Sequence, residues 1–101
     1  MQNYKPTRIS VTAADIAEGE RTFNTLGPEL SCPIRRAITR VAGRQAYVSR
    51  GWGFLHEKGV SFTTRGGEFV LPTAARAFLR DFNTGKAVKP FTFDLRLDDG
   101  S

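Results

Sequence analysis

The chain has 101 residues, 40% hydrophobic and 25% charged, with a formal net charge of +5 and a pI near 10.0. These values fit one globular domain with one modest core and exclude a disordered chain. One cysteine, Cys32, and one histidine, His56, exclude an intrachain disulfide and any CxxC or HExxH metal site.

Residues 1–6 read as a flexible start. Arg8 to Thr12 alternates polar and apolar, with Ile9 and Val11 on one side, and predicts a short strand. Thr12 is placed to cap a helix, with Asp15 three positions on as the acidic partner of a capping box. That helix is expected over roughly 13–21, burying Ile16, with Gly19 weakening it. Asn24, Gly27 and Pro28 mark residues 22–32 as loop. Ser31 or Cys32 then caps a second helix with Pro33 at its first position. Ile34, Ala37, Ile38 and Val41 recur at the spacing of a buried face, and Gly43 ends the helix.

Residues 45–71 contain four β-rich runs, Ala46–Arg50, Trp52–His56, Val60–Thr64 and Glu68–Leu71. Gly51 and Gly53 separate the first two runs or mark a bulge within one longer strand. Arg65–Gly66–Gly67–Glu68 reads as a tight hairpin turn. Pro72 opens a third helix with an apolar stripe of Ala75, Phe78, Leu79 and Phe82, and Gly85 suits its C-terminal cap. After Pro90, Phe91, Phe93, Leu95 and Leu97 alternate with Thr92, Asp94 and Arg96 as a half-buried strand. The expected fold is a single α+β domain over 7–97, with order β-α-α-β-β-β-α-β. It should carry an antiparallel sheet of about four to five strands with helices on one face. Residues 98–101 form an acidic tail.

No P-loop, GxGxxG or acid–base pair motif is present. Acids are scattered except for Asp98–Asp99, so no metal, cofactor or catalytic residue is predicted. An enzyme using Cys32, with His56 as base and the helix N-terminus favouring the thiolate, is the weakest of three readings. No apolar run is long enough to cross a membrane. The polar start lacks a signal-peptide core, and a cytoplasmic location is expected.

Charge distribution is the most informative feature. Between residues 35 and 65 there are seven bases, Arg35, Arg36, Arg40, Arg44, Arg50, Lys58 and Arg65, against one acid, Glu57. Arg35, Arg36 and Arg40 lie opposite the apolar stripe of the second helix and are expected to face solvent. Arginine makes bidentate contacts to phosphate and carboxylate. Tyr47, Trp52 and Phe54 are interleaved nearby and suit base stacking or an aromatic anchor. The predicted partner-binding residues are therefore Arg35, Arg36, Arg40, Arg44, Arg50 and Trp52. A solvated helix face beside a sheet whose aromatics are core is the bland alternative.

Three segments resemble a family of short uncharacterised proteins encoded by bacteriophages and prophages. The first runs Ile9–Ser10–Val11–Thr12–Ala13–Ala14–Asp15–Ile16–Ala17–Glu18–Gly19. The second is Cys32–Pro33–Ile34, continuing to Ala37–Ile38. The third is Leu71–Pro72, Ala75, Phe78–Leu79, Phe82–Asn83, Gly85, Val88 and Pro90–Phe91–Thr92–Phe93–Asp94–Leu95. Asn83 departs from the Asp common in the family pattern, and residues 44–70 lie outside it. The resemblance implies a phage or prophage origin, and it brings no activity and no binding residues. Small non-enzymatic phage proteins often sequester host machinery, including defence complexes such as CRISPR effectors. The first expectation is thus an accessory protein, monomer or homodimer, that blocks a host protein or ribonucleoprotein complex in the bacterial cytoplasm. Direct regulatory DNA or RNA binding is the second.

Overall fold

Alternation of Ile9 and Val11 with polar neighbours produces strand β1 (Thr7–Val11), and the Phe93 and Leu95 alternation produces β5 (Phe91–Leu95). In the computed structural model, which describes residues 6–56 and 65–96, these strands pair antiparallel. Ile9 stands opposite Phe93, and Val11 opposite Phe91. Leu97, the tail, Val60–Thr64 and the first five residues lie outside the described residues.

Helix α1 (Ala13–Leu30) begins with the predicted reciprocal cap. The Asp15 amide donates to Thr12 Oγ1 at 3.1 Å, and the Thr12 amide donates to Asp15 Oδ2 at 2.9 Å. The helix continues well past residue 21, into what the sequence marked as loop. Nothing between Glu20 and Leu26 breaks it, and Phe23 packs edge-on against Phe82 with ring centroids 5.7 Å apart. The break comes at Gly27, whose φ of 84° is left-handed, and Pro28 starts a separate terminal turn. Buried Ser31 closes that turn, its amide and hydroxyl both donating to the Gly27 carbonyl. Gly19 is a packing residue. A Cβ there would sit 2.5 Å from the Ser31 carbonyl oxygen and 3.0 Å from the Phe82 ring.

Helix α2 (Pro33–Ala42) buries Ile34, Ala37 and Ile38 and ends at Gly43 in the left-handed region. Val41, expected on the buried stripe, is 43% exposed at the C-terminal end of α2. Helix α3 (Thr73–Asn83) buries Ala75, Phe78, Leu79 and Phe82. It closes in a Schellman motif, with Lys86 N–H to Asp81 O and Gly85 N–H to Phe82 O. Stacked rings of Phe78, Phe91 and Phe93 tie α3 to β5.

Strands β2 (Ala46–Ser49), β3 (Trp52–His56) and β4 (Arg65–Val70) form a second antiparallel sheet in that order. Arg50–Gly51 turns β2 into β3, so the two runs are separate strands. Arg65–Gly66–Gly67–Glu68 is strand rather than the predicted hairpin turn. Its backbone pairs with β3, Glu68 opposite Phe54 and Arg65 opposite His56 across an irregularity in register. The α+β class and the element order match expectation, with the strands divided between two sheets.

The division follows from α2, which packs against both β1 and β2. Thr39 Oγ1 accepts from the Ala46 amide at 3.0 Å, and Arg35 Nε donates to the Ala46 carbonyl at 3.0 Å. Arg40 reaches the other sheet, donating to the Ser10 carbonyl at 2.9 Å. Side chains of one helix thus occupy backbone groups on one strand of each sheet.

Gly19→Ala tests the α1 packing. Alanine favours a helix by ~1 kcal/mol, but its methyl would press on a backbone oxygen. A net loss of about 1–3 kcal/mol is expected from urea unfolding. Unchanged or raised stability would mean that α1 and Ser31 separate freely.

Candidate binding surface

The arginines of α2 are anchored within the fold. Asp15 is buried, its side chain 1% exposed, and it receives Arg40 in a bidentate pair at 2.8 Å to each oxygen. Arg36 Nε approaches the same carboxylate at 3.5 Å. Arg35 donates to the Ala46 and Leu30 carbonyls. The expectation of three guanidiniums simply facing solvent is therefore corrected, because each has an internal anchor. Their outer edges remain accessible: the Arg36 and Arg40 side chains are 40% and 48% exposed. Arg35, Arg36, Thr39 and Arg40 together line a shallow depression.

Charge is only partly compensated here. Asp15 serves Arg36 and Arg40, the charge of Arg36 also acts on Glu18, and Arg35 is bonded to neutral carbonyls. Burial by itself would raise the Asp15 pKa. Hydrogen bonds from Arg40 and Thr12 outweigh it and bring the carboxyl down to about 2 from the ordinary 3.8. Arg40 is raised in turn by its bond to Asp15. Sequence reasoning found Asp15 as a helix cap and missed it as the counter-ion, because Asp15 and Arg40 lie far apart in the chain.

The other predicted residues lie elsewhere. Arg44 is half-buried just beyond the α2 cap. Arg50 takes a φ of 59° in the β2–β3 turn, a conformation unusual for a side-chain-bearing residue. It opens on a separate cleft of about 430 Å³ whose walls include Leu26, Leu30, Val48 and Leu79. Leu26 and Leu30 are exposed large apolar residues that the sequence reading placed in a loop.

Trp52 belongs to a third feature, the outer face of the three-stranded sheet. Ala46, Val48, Leu55 and Phe69 point into the core. Strand alternation puts Tyr47, Trp52, Phe54 and Val70 on the opposite face. Register aligns Tyr47 with Phe54 and Trp52 with Val70. The Trp52 and Phe54 rings stack with centroids 6.1 Å apart, and Tyr47 tilts beside both at 6.3 and 5.2 Å. Phe54 is buried beneath, whereas Trp52 is 38% exposed and Val70 71%. The Tyr47 hydroxyl donates to Glu29 at 2.9 Å, fixing its ring. Of the α2 arginines, Arg35 bonds to this sheet, at the Ala46 carbonyl of β2, while Arg36 and Arg40 reach toward Asp15 and Ser10.

Cys32 caps α2 without a side-chain hydrogen bond. Burial pushes its thiol up to about 11, although the amides of Arg35 and Ile34 pull the other way. Burial therefore outweighs the helix N-terminus that had suggested a reactive thiolate. Among the described residues no three His, Cys, Asp or Glu side chains cluster as a metal site. No described helix is long and apolar enough to cross a membrane. No protein-family model, curated protein or solved structure matches the chain.

Asp15 and Cys32 each give a testable outcome. The folded state keeps Asp15 ionised to about pH 2, while the unfolded chain protonates it near 3.8. The stability it contributes is complete above about pH 4 and is lost as pH falls toward 2, by about 2 kcal/mol. Asp15→Asn should flatten that part of a stability–pH profile. At neutral pH it should also cost about 3 kcal/mol, since two guanidiniums lose their counter-charge. Separately, Cys32 should resist iodoacetamide at pH 7.5 in the native protein and react on denaturation, as followed by mass spectrometry.

Proposed function

We propose that this protein is a small non-enzymatic binding protein that docks an anionic partner on the arginine face of α2 and blocks it by occlusion. For a phage-type chain the partner is a host protein or protein–nucleic-acid complex, and the role is that of an anti-defence inhibitor acting in the bacterial cytoplasm. The observation that carries this reading is the internal anchoring of Arg35, Arg36 and Arg40, with the outer edges of Arg36 and Arg40 left accessible. A guanidinium already held by a carboxylate or a carbonyl loses little rotamer freedom when a ligand arrives, so less of the interaction energy is spent on ordering. Their N–H groups suit the paired oxygens of phosphate or carboxylate. Direct binding of DNA or RNA is a second reading, favoured by the aromatic face that begins at Tyr47, next to the residue holding Arg35.

The test combines a tagged pull-down from the host, with and without nuclease, and two variants. Arg36→Ala should weaken partner capture about 10-fold or more at near-wild-type stability, because Arg36 is the looser member of the ion pair. Arg40→Ala should lose both capture and stability. Full capture by a folded Arg35→Ala/Arg36→Ala variant would remove α2 as the docking face.

A further inference from the structure

We propose that the cleft between the end of α1, the β2–β3 turn and α3 binds a small amphipathic monocarboxylate, a medium-chain fatty acid, with its head on Arg50 and its tail among the leucines. This site is separate from the arginine face of α2 and goes beyond the docking reading above. Its volume of about 430 Å³ lies within the ordinary range of small-molecule sites. Leu26, Leu30, Val48 and Leu79 line it. Val48 and Leu79 belong to the core, whereas Leu26 and Leu30 are 46% and 49% exposed. Left-handed Gly27 lines it too, so the cleft sits where α1 is interrupted.

Arg50 names the head group. Ser49 pairs with Trp52, so Arg50 and Gly51 are the two residues of a tight turn. Such turns favour glycine, asparagine or aspartate at a left-handed first position. Here the glycine stands second. A Cβ at Gly51 would lie 2.8 Å from Arg76 Cδ, and the left-handed φ of 59° falls on Arg50. That conformation is costly for a residue with a side chain. The Arg50 guanidinium has no hydrogen-bond or ion-pair partner among the described residues. A local cost with no internal contact to offset it points to a contact made with a ligand. A planar guanidinium meets a carboxylate in a bidentate fork. Glu29 lines the same cleft, its Oε2 accepting from the Tyr47 hydroxyl at 2.9 Å. One cation and one anion therefore share the lining, and a single negative charge is tolerated there better than a phosphate dianion. The apolar walls add affinity with tail length, about 3-fold for each buried CH2.

The experiment titrates the full chain, isotope-labelled at its Leu and Val methyls, with hexanoate, octanoate and octanol, and follows methyl shifts by NMR. Octanoate should move the methyls of Leu26, Leu30, Val48 and Leu79 and bind about 10-fold more tightly than hexanoate. Octanol has the same tail without the charge and should bind about 10-fold more weakly than octanoate. Arg50→Gly should reduce octanoate to the affinity of octanol, with a melting temperature level or raised, because glycine is at ease at that φ. Arg8→Gln removes an equal charge from β1 and should leave octanoate binding unchanged. Equal octanoate binding by Arg50→Gly and the unaltered protein would overturn the assignment. So would shifts spread over the whole surface, or none at millimolar octanoate. A dimer seen by sedimentation that covers Leu26 and Leu30 and excludes octanoate would make the cleft a self-association surface and end the proposal. The shifts are read on the unaltered protein, so the result stands even if Arg50→Gly fails to fold.

Discussion

The carboxylate of Asp15 is the point on which three elements converge. One of its oxygens receives the Thr12 amide and so starts α1, and the two together receive Arg40 from α2. Arg40 in turn reaches the Ser10 carbonyl on β1. A buried carboxylate with no partners would carry a desolvation penalty of several kcal/mol. Here its acceptor sites are met by a backbone amide and a bidentate guanidinium, with a second guanidinium nearby. The geometry is specific, because a planar fork must meet a planar carboxylate that is itself fixed by a helix cap. Apolar burial supplies the bulk of stability in a domain this size. The Asp15 contacts join α1 to α2 and, through Arg40, to β1.

That arrangement gives the arginines two duties at once. Arg40 joins α1, α2 and β1, and Arg35 ties α2 to β2, while their charge gives the helix its basic face. An anion that engages this face adds acceptors to groups that already hold the fold. Binding should therefore reinforce the docking of α2 by linkage. The converse also holds: charge on this face cannot be removed everywhere without structural cost. Arg36, with the longest approach to Asp15, is held less closely there than Arg40.

Local signals in the sequence were the most readable. The Thr12–Asp15 box, Pro33 at the start of α2, the left-handed Gly43 and the Phe93–Leu95 alternation all act within a few residues, and each appears where its chemistry requires. Signals that depend on distant contacts were misread. Gly19 looked like a helix weakness because its tight approach to Ser31 and Phe82 has no trace in nearby sequence. The span from Thr22 to Leu26 looked like loop because Asn24, Gly27 and Pro28 were weighed together, whereas within α1 only Gly27 breaks the backbone. Gly66–Gly67 looked like a turn because glycine pairs commonly are, yet they run within β4, between the Arg65–His56 and Glu68–Phe54 pairs, where the register is irregular. For the binding surface, the composition of α2 was legible and its counter-ion was not. Trp52 was recognised as an aromatic near the bases, but its place on a sheet face with Tyr47 depends on strand register.

The pairing of β1 with β5 carries a consequence for how the chain reaches this state. Arg8 and Asp94 meet across 86 residues of sequence, so the strand that completes the smaller sheet is made long after its mate. While the chain is being synthesised, β1 has no strand to pair with, and the apolar side of α2 lacks part of its cover. Such long-range closure slows folding and leaves apolar surface open to wrong partners in the interval. The capping box and the Asp15–Arg40 pair need nothing beyond residue 40, and they are available early to hold α1 against α2. The emerging protein thus has a polar clasp that can form on the ribosome well before its core can close.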